Sequence, residues 1–215
     1  MTTQREIDSQ TLYRTAFLLS LFTIFFNVAE GLVSVGFGYA DESLTLFGFG
    51  IDSFIEVVSG LGIAHMVWRV RRNPATGRDR FERTALRITG TSFFVLAAGL
   101  AATSVYNIVT QQKPRTTIAG VVISLVSIAI MLFLTRRKRN IGVALNSDAI
   151  LADAECTQMC INMSVVLLVA SAIYALTAIS YVDIAGSLAL AYLSLKEGRE
   201  CFERAEEKGL ASAPD

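Results

Sequence analysis

The sequence is short of charge, and basic side chains are missing from two long stretches of it. Charged residues make up 18% of the 215-residue chain, against about a quarter in an average soluble domain. No lysine or arginine occurs between residues 15 and 68 or between residues 140 and 195. Because 53% of the chain is hydrophobic, these stretches are suited to an apolar environment.

Cysteine is scarce as well. The three cysteines, two of them inside an apolar run, do not form the pattern of a disulfide framework. No nucleophile–base pair, phosphate-binding loop or nucleic-acid-binding surface can be recognised. We therefore expect the chain to have no enzyme activity, no prosthetic group and no nucleic-acid partner.

Six apolar segments are long enough, or nearly long enough, to cross a lipid bilayer, which takes about 20 residues of α-helix. They are residues 15–39, 43–68, 88–109, 118–134, 141–178 and 181–195. The fifth segment is too long for one crossing, and the sixth is short. The sequence predicts an all-α, polytopic membrane protein with six transmembrane helices, in one domain over residues 1–204 with a short cytoplasmic tail over 205–215.

The basic residues fall almost entirely on one side of these six spans. They flank the connections between spans two and three and between spans four and five, as well as both termini. Only Lys113 and Arg115 fall on the other side. Because basic loops stay in the cytoplasm, we expect both termini to be cytoplasmic and the protein to reside in the plasma (inner) membrane.

Acidic residues, by contrast, do occur inside the predicted spans. They are Glu30, Asp52, Glu56, Asp148, Asp153, Glu155 and Asp183. A charged side chain at mid-bilayer costs at least about 2.5–3.5 kcal/mol, so each needs a partner. With no basic side chain in these spans, three explanations remain: protonation, a water-filled cavity or an exogenous cation. The last two are what a transport site requires.

Helix geometry brings three of these acids to one depth. Asp52 and Glu56 are four residues apart and share a face of the second helix, roughly 13 and 20 Å from its outer end. Glu155 lies about 21 Å from the inner start of the fifth helix, which runs the opposite way. Asp148 is seven residues earlier on nearly the same face. We therefore predict a cation site of Asp52, Glu56 and Glu155, with Asp148 at its cytoplasmic approach.

Three further polar residues are candidates for the pathway or for proton coupling. Asn27 and Glu30 share a face of the first helix. Asp153 lies about 140–160° around the fifth helix from the predicted site, on a stripe with Cys156 and Cys160. That stripe could be a second, softer metal-binding face. Alternatively, the cysteines pack as small apolar side chains while Asp153 faces another helix or a cavity.

The two acid-bearing helices resemble those of the cation diffusion facilitator (cation efflux) family. Residues 43–56 begin with Ser-Leu and carry two acids four residues apart, as the family's second helix does, and residues 144–155 are similar to its fifth helix. The Phe-Gly-Phe-Gly-Ile-Asp run is closest to the small transmembrane zinc-efflux branch. The resemblance covers about residues 20–204 and concerns the transmembrane domain only.

This resemblance implies metal-ligand roles for Asp52 and Glu56 in the second helix and for Glu155 in the fifth. The family's first fifth-helix ligand falls on Leu151, which cannot bind a metal. Three carboxylates leave a tetrahedral zinc shell incomplete, so water or another acid of the fifth helix must complete it. We expect the family's cytoplasmic C-terminal domain to be absent, and a homodimer to form through the membrane helices.

Together these features predict a divalent metal cation transporter that exports its cargo by metal/proton antiport. Zn²⁺ is the expected cargo, with Mn²⁺ or Fe²⁺ open because an all-oxygen site favours harder ions. Two other functions stay open. The chain could be a proton-coupled exporter of organic cations, or a metal-binding modulator of another transporter.

Overall fold

The computed structural model describes residues 2–41, 43–72, 79–110, 118–145, 147–179 and 181–211, and every secondary-structure element in these ranges is an α-helix. The helices are α1 (Thr2–Ala40), α2 (Leu44–Arg72), α3 (Asp79–Thr110), α4 (Ile118–Leu145), α5 (Asp148–Thr177) and α6 (Tyr181–Ala211). The predicted all-α class is confirmed. Lys113 and Arg115, predicted to lie on the outer side, are outside the described residues.

Five of these helices, α1 to α5, are long and apolar enough to cross a membrane. They confirm the prediction of a polytopic helical membrane protein. Helix α6 does not meet the same criteria of length, hydropathy and low charge. Its second half, from Lys196 onward, carries many acidic and basic side chains. Its apolar half, residues 181–195, stays a prediction as the sixth span.

The boundary between α4 and α5 differs from the predicted one. Helix α4 continues through the basic block and ends only at Leu145, and Ser147 then adopts an extended conformation (φ −114°, ψ 103°). Serine is favoured at this N-cap position, and Asp148 follows as an acid in the first turn of α5. The predicted 141–178 span was too long because it joined the end of α4 to the start of α5.

Helix α2 is the centre of the bundle. It packs most closely on α1 and also contacts α3, α5 and α6, while α4 pairs with α5 and α3 pairs with α6. Glycine permits a close approach between α1 and α2: a Cβ at Gly50 would lie 2.7 Å from the backbone nitrogen of Val35. The side chains on the inner face of α2 are therefore held against both α1 and α5.

The N-terminal end of α2 is fixed by an aspartate from another helix. Asp183, in the first turn of α6, accepts hydrogen bonds from Ser43 Oγ (2.7 Å) and from the Leu44 N–H (2.8 Å). A carboxylate at this position satisfies N–H groups that have no partner within their own helix and complements the helix dipole. Asp183 therefore fixes the position of α2 along its axis relative to α6.

The close approach of α1 and α2 makes Gly50 sensitive to substitution. Gly50→Ala should lower the free energy of unfolding by about 1–3 kcal/mol, because its Cβ meets backbone atoms that cannot move aside. Gly36→Ala is the matched control, since nothing lies within 4 Å of a Cβ there. Thermal unfolding of both variants in detergent measures the difference, and equal melting temperatures would contradict the close packing.

Candidate functional site

Asp52 and Glu56 lie on the buried face of α2, one turn apart. Each residue is only 2% exposed. They are eight and twelve residues into the helix, or about 12 and 18 Å from its beginning. Two carboxyl groups are therefore held deep in the bundle on one face of a single helix.

Helix α5 brings a thiol to these carboxyl groups. Cys160 Sγ donates a hydrogen bond to Glu56 Oε2 at 2.9 Å and lies 3.7 Å from Asp52 Oδ2. Cys160 is buried and lies about 18 Å from the beginning of α5, which runs antiparallel to α2. The opposite directions of the two helices bring Cys160 to the depth of the two acids.

Glu155 is not part of this group, which corrects the prediction from sequence. Its side chain is 51% exposed, and its Oε2 lies 2.7 Å from Arg204 Nη2 on α6. The predicted depth was counted from the end of the basic block, whereas α5 begins at Asp148, so Glu155 is only about 10 Å along it. It also points away from the face that carries Cys160, about 140° around the helix.

The other predicted acids of α5 have different positions. Asp148 begins the helix, and its side chain lies outside the described residues. Asp153 is buried, and its Oδ2 lies 2.9 Å from Lys138 Nζ of α4. The buried acids thus have a basic neighbour after all, because Lys138 lies within α4 and faces the bundle instead of following a predicted span that ended at residue 134.

Lys138 also connects the ion pair to the two carboxyl groups of α2. Its Nζ donates a hydrogen bond to Thr157 Oγ1 at 2.9 Å, and both Lys138 and Thr157 interact with the carboxyl group of Glu56. A fixed positive charge therefore lies next to Glu56. It is already paired with Asp153, which is consequently unavailable as a free cation ligand.

The polar residues predicted on α1 are buried beside the same site. Glu30 Oε2 accepts a hydrogen bond from Ser53 Oγ at 3.0 Å, and Ser53 is the neighbour of Asp52 on α2. Asn27 is fully buried one turn away on α1. Glu30 also interacts electrostatically with Asp52 and Glu56.

Helix α6 contributes a buried acid that the sequence analysis did not single out. Glu197 is 2% exposed and interacts electrostatically with Asp52 and with Cys156. Cys201, one turn further on α6, is buried and interacts with Glu197 as well. These side chains lie between the carboxyl groups of α2 and the charged end of α6.

The periodicity of α5 contained the signal for the residues that were missed. Buried polar side chains recur at three- and four-residue spacing on one stripe of the helix. They are Asp153, Thr157, Cys160 and Ser164. Such spacing marks one helix face, and here that face is the buried one. Glu155 lies off this stripe, whereas Cys160 lies on it. The metal-ligand roles predicted from the sequence stay predictions.

Within the described parts of the chain, no three His, Cys, Asp or Glu side chains are already arranged to hold a metal ion. The carboxyl groups and the thiol instead meet as hydrogen-bonding partners.

A comparison with known protein families finds one that matches this chain. The sequence model of the cation efflux transmembrane domain matches residues 20–205, which include both helices of the site. The chain belongs to the cation efflux family and is an integral membrane protein of a family that transports metal cations. A comparison with curated proteins finds no match.

Asp153, which is paired with Lys138, and Asp52, which neighbours other acids, should respond differently to substitution. Asp153→Asn leaves the Lys138 ammonium buried without its partner, so it should lower the free energy of unfolding by about 3–5 kcal/mol. Asp52→Asn removes a carboxyl group that neighbours other acids, so the fold should retain its stability. Chemical unfolding in detergent measures both.

A double variant, Lys138→Met with Asp153→Leu, serves as the control because it removes both charges together. It should recover most of the stability lost in Asp153→Asn. Equal stability of Asp153→Asn and Asp52→Asn would contradict the assignment of Asp153 to an internal ion pair.

Proposed function

We propose that the chain exports a divalent metal cation by metal/proton antiport, and that Asp52, Glu56 and Cys160 bind the cation between α2 and α5. The observation that carries the proposal is the contact of two buried carboxyl groups with a thiol on the facing helix. Two ionised carboxylates balance one divalent cation. In a low-dielectric interior such a charge balance decides whether burial is tolerated.

The Cys160 thiol favours a particular class of transported ion. Carboxylate oxygens suit hard ions such as Mn²⁺, whereas a cysteine thiolate favours Zn²⁺ and softer ions. A site with two oxygen ligands and one sulfur ligand fits zinc, which accepts both kinds and is commonly four-coordinate. We therefore propose Zn²⁺ as the transported ion, with water or a further side chain as the fourth ligand.

Proton exchange follows from the same three groups. Carboxyl and thiol ligands must lose their protons to bind a metal, so each loading event releases protons from Asp52, Glu56 or Cys160. When the site faces the other side, protons return to these groups and displace the metal. The reprotonated, neutral side chains then face the bilayer interior at a lower cost than the charged ones.

The direction of transport depends on the topology. We propose that both termini are cytoplasmic and that the protein resides in the plasma (inner) membrane, which the asymmetric distribution of basic residues supports. The beginning of α5, near the basic block of α4, then lies on the cytoplasmic side. We also propose a homodimer formed by the membrane helices.

Asp52→Asn should abolish zinc flux in proteoliposomes, because it removes one of the two charges that balance the cation. Glu155→Gln is the matched control: its carboxylate is half exposed and paired with Arg204 at the surface, where such pairs contribute at most about 1 kcal/mol. This variant should transport zinc at nearly the wild-type rate. The measurement is uptake of Zn²⁺ into vesicles with an outward proton gradient.

Two outcomes would contradict the proposal. Full flux in a folded Asp52→Asn variant would remove the α2 carboxyl pair from the mechanism. Loss of flux in Glu155→Gln as well as in Asp52→Asn would restore the ligand set predicted from sequence.

Cys160→Ser should change the selectivity of the site more than its stability. The hydroxyl keeps a donor toward Glu56, but oxygen is a poorer ligand for soft ions. We expect Cd²⁺ and Zn²⁺ flux to fall at least about tenfold relative to Mn²⁺ flux, a factor that corresponds to about 1.4 kcal/mol. Cys201→Ser is the control, because Cys201 is also a buried cysteine but lies on α6. This variant should leave the ratio unchanged.

An unchanged ratio of Cd²⁺ to Mn²⁺ flux in Cys160→Ser would show that the thiol does not ligate the cargo. A competition assay with all three ions in one reaction gives the ratio directly.

A further inference from the structure

Helix α1 carries a continuous polar stripe through the bundle. Its members recur at three- and four-residue spacing and are all buried: Ser20, Thr23, Asn27, Glu30 and Ser34. The first two hydroxyls are satisfied by their own helix, since Ser20 Oγ donates to the Ala16 carbonyl and Thr23 Oγ1 to the Leu19 carbonyl. The other three side chains form the outer part of the stripe and lack such partners.

Four buried polar atoms on this outer part have no hydrogen-bond partner among the described residues. They are both side-chain atoms of Asn27, Oε1 of Glu30 and Oγ of Ser34. Asn27 and Glu30 are three residues apart and within about 60° of one another around α1, and Ser34 lies about 6 Å beyond Glu30 along the helix. Buried polar groups are nearly always paired, so a group of this kind indicates a ligand that satisfies it.

Oxygen atoms from three helices surround this place. Glu30 Oε2 accepts a hydrogen bond from Ser53 of α2 at 3.0 Å, and the same carboxyl group interacts with Ser127 of α4. Ser127 Oγ in turn lies 2.9 Å from Ser164 Oγ of α5. Glu30 therefore lies where α1, α2 and α4 meet, among hydroxyl and amide oxygens.

We propose that Asn27, Glu30, Ser53 and Ser127 form a second cation site, which binds a hard monovalent cation such as Na⁺ or K⁺. Every ligand atom is an oxygen, the type that hard cations prefer and that membrane transporters use for Na⁺. Glu30 is the single carboxylate of the group. One negative charge balances one monovalent cation, whereas a divalent ion would leave a buried excess positive charge.

The two sites therefore differ in chemistry. Asp52, Glu56 and Cys160 offer two carboxylates and a sulfur, while the Glu30 group offers one carboxylate and neutral oxygens. The first combination suits a borderline divalent metal and the second a hard monovalent ion. The second site is thus not a duplicate of the first.

Because the two sites are close together, the second site takes part in the exchange of the metal for protons. This part of the inference rests on the proposed function. The Glu30 carboxyl group interacts electrostatically with Glu56 and Asp52. Cations bound at both sites would repel one another strongly in the bundle interior. Occupation of the Glu30 site then weakens metal binding at Asp52, so the monovalent ion acts as a counter-ion that helps to displace the metal.

Equilibrium binding of ²²Na⁺ and of ⁸⁶Rb⁺, a K⁺ substitute, to the purified protein in detergent tests the site directly. Wild type should bind one of the two ions saturably. Glu30→Gln and Ser127→Ala should weaken binding about 10- to 100-fold, the range for losing an interaction with a charged group. Ser124→Ala is the matched control, since this buried serine one turn away donates to the Gly120 carbonyl.

Asp52→Asn separates this inference from the proposed function. It should keep monovalent binding while losing zinc binding, and in wild type added Zn²⁺ should reduce ²²Na⁺ or ⁸⁶Rb⁺ binding. Absence of saturable binding of both ions to wild type, or wild-type binding by Glu30→Gln and Ser127→Ala, would overturn the second site and leave the zinc proposal intact. Monovalent binding that disappears in Asp52→Asn would assign the ion to the first site and overturn the inference.

Discussion

Asp52 and Glu56 carry two carboxyl groups into the interior of a helical bundle, where an uncompensated charge costs several kcal/mol. Much of the surrounding structure holds these groups at one depth. Asp183 caps the N-terminal end of α2, and the glycine contact at Gly50 allows α2 to pack closely against α1. The antiparallel course of α5 then brings Cys160 to both carboxyl groups.

The cost of burying a carboxylate is offset in two different ways within the bundle. Asp153 is neutralised internally by Lys138, and that pair needs no exogenous ion. Asp52 and Glu56 have acids and a thiol as their nearest ionisable neighbours, with Lys138 next to Glu56 but already paired. In the proposed function, a bound cation or bound protons complete this second arrangement. An exchange of one for the other is the elementary step of antiport.

Local properties of the sequence predicted the class of fold and the common buried face of two acids on α2. Apolar length predicted α1 to α5, and the four-residue spacing predicted the common face of Asp52 and Glu56. The partner on α5 depended on where that helix begins, and the extended residue at Ser147 moved its start by several residues. Because α4 continues to Leu145, Lys138 lies within that helix as a buried base and not in a loop. No count of apolar residues could show this.

The direct test of the account is the X-ray absorption fine structure of zinc bound to the purified protein. The account predicts a mixed first shell of oxygen and sulfur, with a Zn–S distance of about 2.3 Å, and loss of the sulfur contribution in Cys160→Ser. A shell of oxygen and nitrogen alone in the wild-type protein would contradict it. So would a sulfur contribution that persists unchanged in the variant.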